Sequence, residues 1–539
     1  MRNFALAVVA MIALLATGCG GGGSDSGGGT PAAQSAATDA SIPSFTVGFP
    51  GSIQGLDVTK SADPFTLSVL ALALEGPLVY DKDGKLKPRL AETWEQVDPT
   101  TYTYQLRSDV KFWDGTPLTA EDVVYSWRRS LDEAGGSQLA RYFSAVKSVS
   151  ATGPLEVTVK LKSPDPSWQY QPGSFPGWVV SKKFWEAHPK DIGTPNTLTM
   201  GTGPYKITEF VPDESVTLVR NEEYWGPKPA VEAVTIKIIP DSSALLLAMR
   251  SGELDAVFPV PFNQIKQWEG LSDVSMQFAP ELRYWSFTLD MESEPWDDLH
   301  VRRALAHSVD RPGLVQALLS GHGAPADTQI PPEQWRSIAD QGTIDQLYAD
   351  LPKYEFDLDK AREELAQSAH PDGFSATLTY PDARPILGQA AQVLAKNVAE
   401  LGIDLEVKEV PFNAYLQTVF GHKDLGIQSF SYGADWPDPA NMPDVSWASS
   451  QAIPNGLNLS NYKSPTIDRL LEEQRTAPSE DRAALVAEAM NQAAEDVPVI
   501  PLFYSEIALA LKQEFVLGGE GWGPWYFVQP WLSYVAAAA

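Results

Sequence analysis

Cysteine is almost absent from this chain of 539 residues: Cys19 is the only one. No intramolecular disulfide can form, so stability must come from the size of the core. Basic residues are also scarce. Lys and Arg number 40 against 69 Asp and Glu, a formal net charge of −29, so a nucleic-acid backbone or an anionic membrane surface would be repelled. The few histidines, His188, His300, His307, His322, His370 and His422, are scattered. His300 and His307 could share a helix face, but a metal site needs more ligands than that. After the N-terminus no segment holds the ~20 continuous apolar residues that span a bilayer. What remains is 43% hydrophobic and 20% charged, with 43 prolines. That composition is globular and excludes coiled-coil, collagen-like and wholly disordered chains. At roughly 100–200 residues per domain, the length suits two to four lobes.

The N-terminus carries a targeting pattern. Arg2 and Asn3 precede an apolar run from Phe4 to Ala16, and small residues follow. This is an export signal and too short for a span. Ala16-Thr-Gly-Cys19 resembles a bacterial lipobox, although Ala16 stands where leucine is more usual. The expectation is cleavage after residue 18 and a diacylglyceryl, palmitate-type lipid on Cys19. Residues 20–41 are almost entirely Gly, Ser, Ala, Thr, Gln and Asp, so 19–44 is expected to be a flexible tether. The protein would thus be exported and held by its lipid at the outer face of the cytoplasmic membrane or in the periplasm.

From Phe45 onward, short alternating runs mix with helical periods. Tyr102, Tyr104 and Leu106 alternate with Thr101, Thr103 and Gln105, the period of a half-buried strand. After the turn Asp114-Gly115, Thr119 is a good N-cap for a helix carrying Val123, Val124, Trp127 and Leu131. Asp297 or Asp298 can cap a helix with Val301, Leu305 and Val309. Residues 389–401 form another, stopped by Gly402, and Ser464-Pro465 opens a third. Strands are expected at 155–161, 215–220, 233–239, 376–380 and 403–410. The expected class is α/β with several lobes.

Catalytic constellations are missing. There is no Gly-x-Ser-x-Gly elbow, no Walker loop and no His-Glu-x-x-His. Ser-x-x-Lys occurs at Ser108 and Ser144 without the companion motifs that give it meaning. Many carboxylates and 16 tryptophans would allow a glycosidase, but the aromatic residues fall within strand and helix periods, where core packing accounts for them. The chain is expected not to be an enzyme and to need no cofactor or metal.

More specific motifs run through the chain. Leu90-Ala-Glu-Thr-Trp-Glu95, Tyr102-Thr-Tyr-Gln-Leu-Arg107 and Phe112-Trp-Asp-Gly-Thr-Pro-Leu-Thr-Ala-Glu-Asp-Val-Val-Tyr-Ser-Trp127 closely resemble the signature of the oligopeptide/dipeptide/nickel solute-binding proteins of ABC importers. Gly201-Thr-Gly-Pro-Tyr205, Val301-Arg-Arg-Ala-Leu-Ala-His-Ser-Val-Asp310, Ala434-Asp-Trp-Pro-Asp-Pro-Ala-Asn441, Asn461-Tyr-Lys-Ser-Pro465 and Val497-Pro-Val-Ile-Pro501 extend the resemblance over roughly Phe45 to Tyr534.

The resemblance implies a type II periplasmic-binding-protein fold, two α/β lobes around a ligand cleft with an inserted third domain. Carried over, lobe I takes 45–75, 181–284 and 503–535, the insertion 76–180, and lobe II 285–502. It further implies that Asp435 meets a peptide α-ammonium, that Tyr432 and Trp436 flank the ligand, and that Ser431 and Gly433 offer main-chain contacts. Tyr284 and Trp285 would contribute from the crossing between lobes, and Tyr504 from the return crossing, where core packing is an equal reading. A turn role before Trp-Pro is the alternative for Asp435. Some relatives carry an arginine upstream of the acidic motif; here Ser429 stands there, and Arg283 or Arg384 is the candidate for a ligand carboxylate. The implied function is a monomeric receptor that delivers oligopeptides to an ABC permease and ATPase encoded separately. Oligosaccharide, opine, nickel-chelate or signalling-peptide binding on the same fold is the alternative.

Overall fold

The computed structural model describes residues 37–539 except 62 and 519–521. Cys19, the leader and most of the expected tether lie outside the described residues. Within the described remainder of the range 19–44 the chain is partly paired. Ala37–Thr38 is a strand paired with Val535–Ala538, and Ile42 is buried and bridged to Val231. A polar, Gly-rich stretch hides this because two backbone-paired residues and one buried isoleucine give no period.

The principal sheet has eleven strands among the described residues. One flank holds Phe45–Phe49, Ala256–Val257, Ala233–Ile238, Ser215–Arg220 and Tyr205–Val211; the other holds Ile427–Gly433, Ser375–Pro381 and Asp404–Val410. Two long antiparallel strands, Val274–Leu289 and Val499–Lys512, belong to both flanks. Alternation in these strands sorts their faces: Val234, Ile236 and Ile238 are buried while their neighbours are half-exposed. Phe45–Phe49 runs parallel to both of its partners, so the sheet is mixed and each flank needs helical cover. Pro385–Val398 supplies part of that cover, burying Leu387, Ala391 and Leu394. It begins four residues before the expected start because Pro385 fits the first turn, and it ends through a short 3₁₀ turn at Gly402, whose φ is 82°.

The two long strands break register where the flanks meet. Pro280 opposes Glu506 and Tyr284 opposes Tyr504, so Glu281, Leu282 and Arg283 stand against Ser505 alone. Such a bulge re-aims side chains, and Pro280 has no N–H to continue the ladder. Its consequence is functional, because Glu281 and Arg283 turn into a cleft.

A separate four-stranded antiparallel sheet runs in the order Ala91–Asp98, Thr101–Leu106, Glu156–Leu161, Val146–Gly153. Helix Ala120–Leu131 covers it, and the Asp122 carboxylate accepts from both the N–H and the hydroxyl of Thr119. Trp127 is fully buried, with Tyr104 and Trp168 edge-on at 5.6 Å. The expected strand, turn and capped helix are therefore present, and their conspicuous residues are core. Asp298 caps Leu299–His307, and Ser464 caps Pro465–Gln474.

Candidate ligand-binding cleft

Two cavities adjoin through a shared wall residue, Arg384. The larger, about 340 Å³, is lined by Phe65, Phe258, Trp285 and Tyr526 together with Glu281 and Arg283. The smaller, about 210 Å³, is lined by Arg141, Tyr415, Phe430, Ser431 and Tyr432. Apolar walls with a few convergent polar groups are the general character of a small-ligand site.

The charges in this cleft are unequally satisfied. The Arg283 Nε donates to Glu281 at 2.9 Å, and the Ser505 hydroxyl donates to the other oxygen of Glu281 at 2.8 Å. The Trp285 indole donates to Ser505 at 3.0 Å, which fixes that chain of contacts. Arg384 lies over the Trp285 ring at 5.6 Å. Among the described residues its side chain makes no ion pair and no hydrogen bond. Burial, then the like charge of Arg283, pull its guanidinium down from 12.5 to about 10. Arg384 is thus a half-buried cation held in place by stacking and lacking an anion.

Asp435 lies behind the wall of the smaller cavity, in contact with two residues that line it, Tyr432 and Arg141. Its carboxylate accepts from Tyr432 at 2.6 Å and from Tyr142 at 2.9 Å, and the Arg141 guanidinium stands 3.8 Å away. Burial, and after it the charge of Asp435, push both tyrosine hydroxyls well above their ordinary value, so both stay protonated and keep donating. The motif around Asp435 is held by buried polar contacts. Asn441 accepts from the Asp435 N–H at 3.2 Å, and Asp438 is fully buried and paired through both oxygens with Arg482 at 3.1 and 2.9 Å. One acid of the motif therefore carries the turn, and the other is bonded to the tyrosines behind the smaller cavity.

The remaining expected residues divide. Ser431 lines the smaller cavity with a buried hydroxyl that has no hydrogen-bond partner among the described residues. Gly433 leaves room for the Arg283 guanidinium, which would lie 3.4 Å from a Cβ there. Trp436 packs edge-on against Tyr142 at 6.1 Å. Trp285 lines the larger cavity, and alternation sends Tyr284 to the opposite face, into the core. Tyr504 is also buried, donating to the Thr328 and Ile330 carbonyls at 2.7 and 2.9 Å, and lines neither cavity. Packing accounts for both tyrosines. Ser429 lines the smaller cavity but donates to the Thr379 carbonyl. Arg141 and Tyr142 are additions that the sequence did not suggest. They lie on the 3₁₀ turn Ala140–Phe143, where no period marks them.

Among the described residues no cluster of three or more His, Cys, Asp or Glu could hold a metal, and no helix is long and apolar enough to cross a membrane. His300 contacts Glu364 at 2.7 Å and His307 the Glu355 carbonyl at 2.9 Å, so the two do not converge.

Two flanks joined by crossing strands around a cleft define a two-lobed binding protein of type II architecture. Solved structures share that fold. The ABC transporter-associated periplasmic binding protein DppA of Helicobacter pylori, in complex with peptide STSA, matches at 22% identity with a TM-score of 0.77, covering 93% of this chain and 99% of that one. NikZ of Campylobacter jejuni, in complex with Ni(L-His), matches at 21% with a TM-score of 0.74, covering 92% and 99%. The glutathione-binding protein GsiB of Escherichia coli K12 is 26% identical over 466 residues, 84% of this chain and 88% of that protein. The family model for bacterial extracellular solute-binding proteins, family 5, matches residues 85–453. The chain belongs to that family: it is an extracellular solute-binding protein and not an enzyme.

Proposed function

We propose that the protein is a lipid-anchored receptor, tethered through Cys19, that captures short peptides by both termini and presents them to an ABC permease. The observation that carries this reading is the presence of opposite charges at the adjoining cavities, Asp435 behind the Tyr432 and Arg141 wall of one and Arg384, without an anion among the described residues, between them. An ammonium at Asp435 would gain a carboxylate in a water-poor site, where charge attraction far exceeds its value in bulk water. The Tyr142 and Tyr432 hydroxyls would keep that carboxylate oriented. A terminal carboxylate at Arg384 would supply the anion that the guanidinium lacks.

Closure follows from the same contacts. Phe65 and Phe258 of the first proposed lobe and Trp285 and Arg384 of the second line one cavity, so a ligand touching both sides favours the arrangement that keeps them together. The proposed lobes are 45–75, 181–284 and 503–535 against 285–502, with 76–180 inserted, and the register break at Pro280 to Tyr284 makes the crossing a hinge.

The test is mass spectrometry of small molecules released when the purified protein is denatured. Short peptides with free termini are expected. A single sugar or metal chelate would overturn the peptide reading while leaving the receptor class intact.

A further inference from the structure

The charges around the cleft do not balance, and this sharpens the peptide reading on which the present inference rests. Glu281 is matched by Arg283 at 2.9 Å, and Asp435 has Arg141 at 3.8 Å. Arg384 has no carboxylate partner among the described residues. In a chain of net charge −29, an excess of guanidinium at one cleft runs against the composition. A ligand ammonium at Asp435 would worsen the imbalance, because Arg141 would lose its acid and face a like charge. Two guanidinium groups would then need anions, and the terminal carboxylate of a peptide supplies one.

We propose that the cleft selects short acidic peptides, in which a side-chain carboxylate within the first two residues pairs with Arg141 while the terminal carboxylate pairs with Arg384. The limit to the first two residues comes from distance, since Arg141 lies 3.8 Å from the acid that receives the ammonium. The Arg141 side chain is 59% exposed, so it can swing from Asp435 to a ligand without disrupting the core. Guanidinium is suited to this exchange because its fork donates two parallel hydrogen bonds to a carboxylate, which a neutral amide cannot accept with the same geometry and charge.

Calorimetric titration of the full-length protein, freed of copurified ligand, distinguishes the possibilities. The probes are the tripeptides Glu-Ala-Ala and Ala-Glu-Ala, their glutamine counterparts, and Lys-Ala-Ala. At least one glutamate peptide is expected to bind about tenfold or more tightly than its glutamine counterpart, with Lys-Ala-Ala weakest. In Arg141→Gln that ratio should fall to about twofold, whatever common change the lost charge makes to all the peptides, and an unchanged melting temperature separates lost selectivity from lost folding. Equal affinities across the panel would overturn the acidic preference and leave the peptide reading standing. No binding by any peptide would overturn both, and a ratio unchanged in Arg141→Gln would remove that residue from the assignment.

Discussion

Tyr142 and Asp435 are 293 residues apart in the chain and 2.9 Å apart in space, hydroxyl to carboxylate. The tyrosine comes from the turn before the edge strand of the four-stranded sheet, and the acid follows a strand of the principal sheet. Tyr432 reaches the other oxygen at 2.6 Å, so the carboxylate is gripped from two separate elements before any ligand arrives. Such preorganisation lowers the ordering that binding would otherwise require.

Replacing Asp435 by Asn keeps the shape and removes the charge. The side chain is 17% exposed, and the lost partner for a ligand ammonium should weaken peptide binding by about 2–5 kcal/mol. Calorimetric titration checks this, and N-acetylated peptides should show a comparable loss on the unaltered protein. Tight binding of a blocked peptide would remove the ammonium from the site.

Arg384→Gln should act in opposite directions on binding and stability. Binding of peptides with a free C-terminus should fall by about ten- to hundredfold, since charged hydrogen bonds contribute about 1.5–3 kcal/mol, while C-terminally amidated peptides should be little affected. The ligand-free protein should melt at the same temperature or higher, because a half-buried cation without an anion is removed. A lower melting temperature with unchanged affinity would make Arg384 a structural residue.

Much of the fold was legible because its signals are local. Tyr102, Tyr104 and Leu106 alternate, Thr119 caps, and Gly402 stops a helix, each within a few residues. The cleft was legible only around the acidic motif, whose Trp-Pro pair marks a chain reversal. Alternation along 283–285 separates two faces but does not say which meets the cleft, so Tyr284 and Trp285 looked equivalent until the sheet was assembled. Arg141 and Tyr142 gave no signal at all, since a single 3₁₀ turn has no amphipathic period and their partner lies in a distant segment. The bulge opposite Ser505 was hidden for the same reason: register is a property of two strands.

Asp444 predicts a pH dependence of stability. Burial, opposed by Arg475 at 3.2 Å and reinforced by Asp165 and Asp438, pushes its carboxyl up to about 7. In the unfolded chain it titrates near 4. Between about pH 4 and 7 the folded protein therefore holds a proton that the unfolded chain has released, and stability from this group falls as pH rises, by at most about 1.4 kcal/mol per unit. Asp444→Asn should melt higher than the unaltered protein at pH 8, and the two should converge near pH 4. Parallel profiles across that range would show that Asp444 is ionised in the fold at neutral pH.

Glu75 offers the sharpest test of what the Gly201-Thr-Gly-Pro-Tyr205 motif does. Its carboxylate is buried and accepts from Arg89 at 2.6 Å, Thr202 and Tyr224 at 2.8 Å, and Trp225 at 3.1 Å. Gly201 permits the approach, because a Cβ there would lie 2.0 Å from the Ala73 carbonyl oxygen. The motif is thus a docking point for the segment that carries Glu75, and it lies outside the cleft. Glu75→Gln leaves Arg89 without its anion, and removing one partner of a buried pair typically destabilises by about 3–5 kcal/mol. The melting temperature should fall by several degrees while peptide affinity at low temperature is retained. Combining Glu75→Gln with Arg89→Met should recover part of the loss, since the second change removes the stranded charge. If the double variant melts no higher than Glu75→Gln alone, the stability comes from the neutral donors Thr202, Tyr224 and Trp225 and owes nothing to the ion pair.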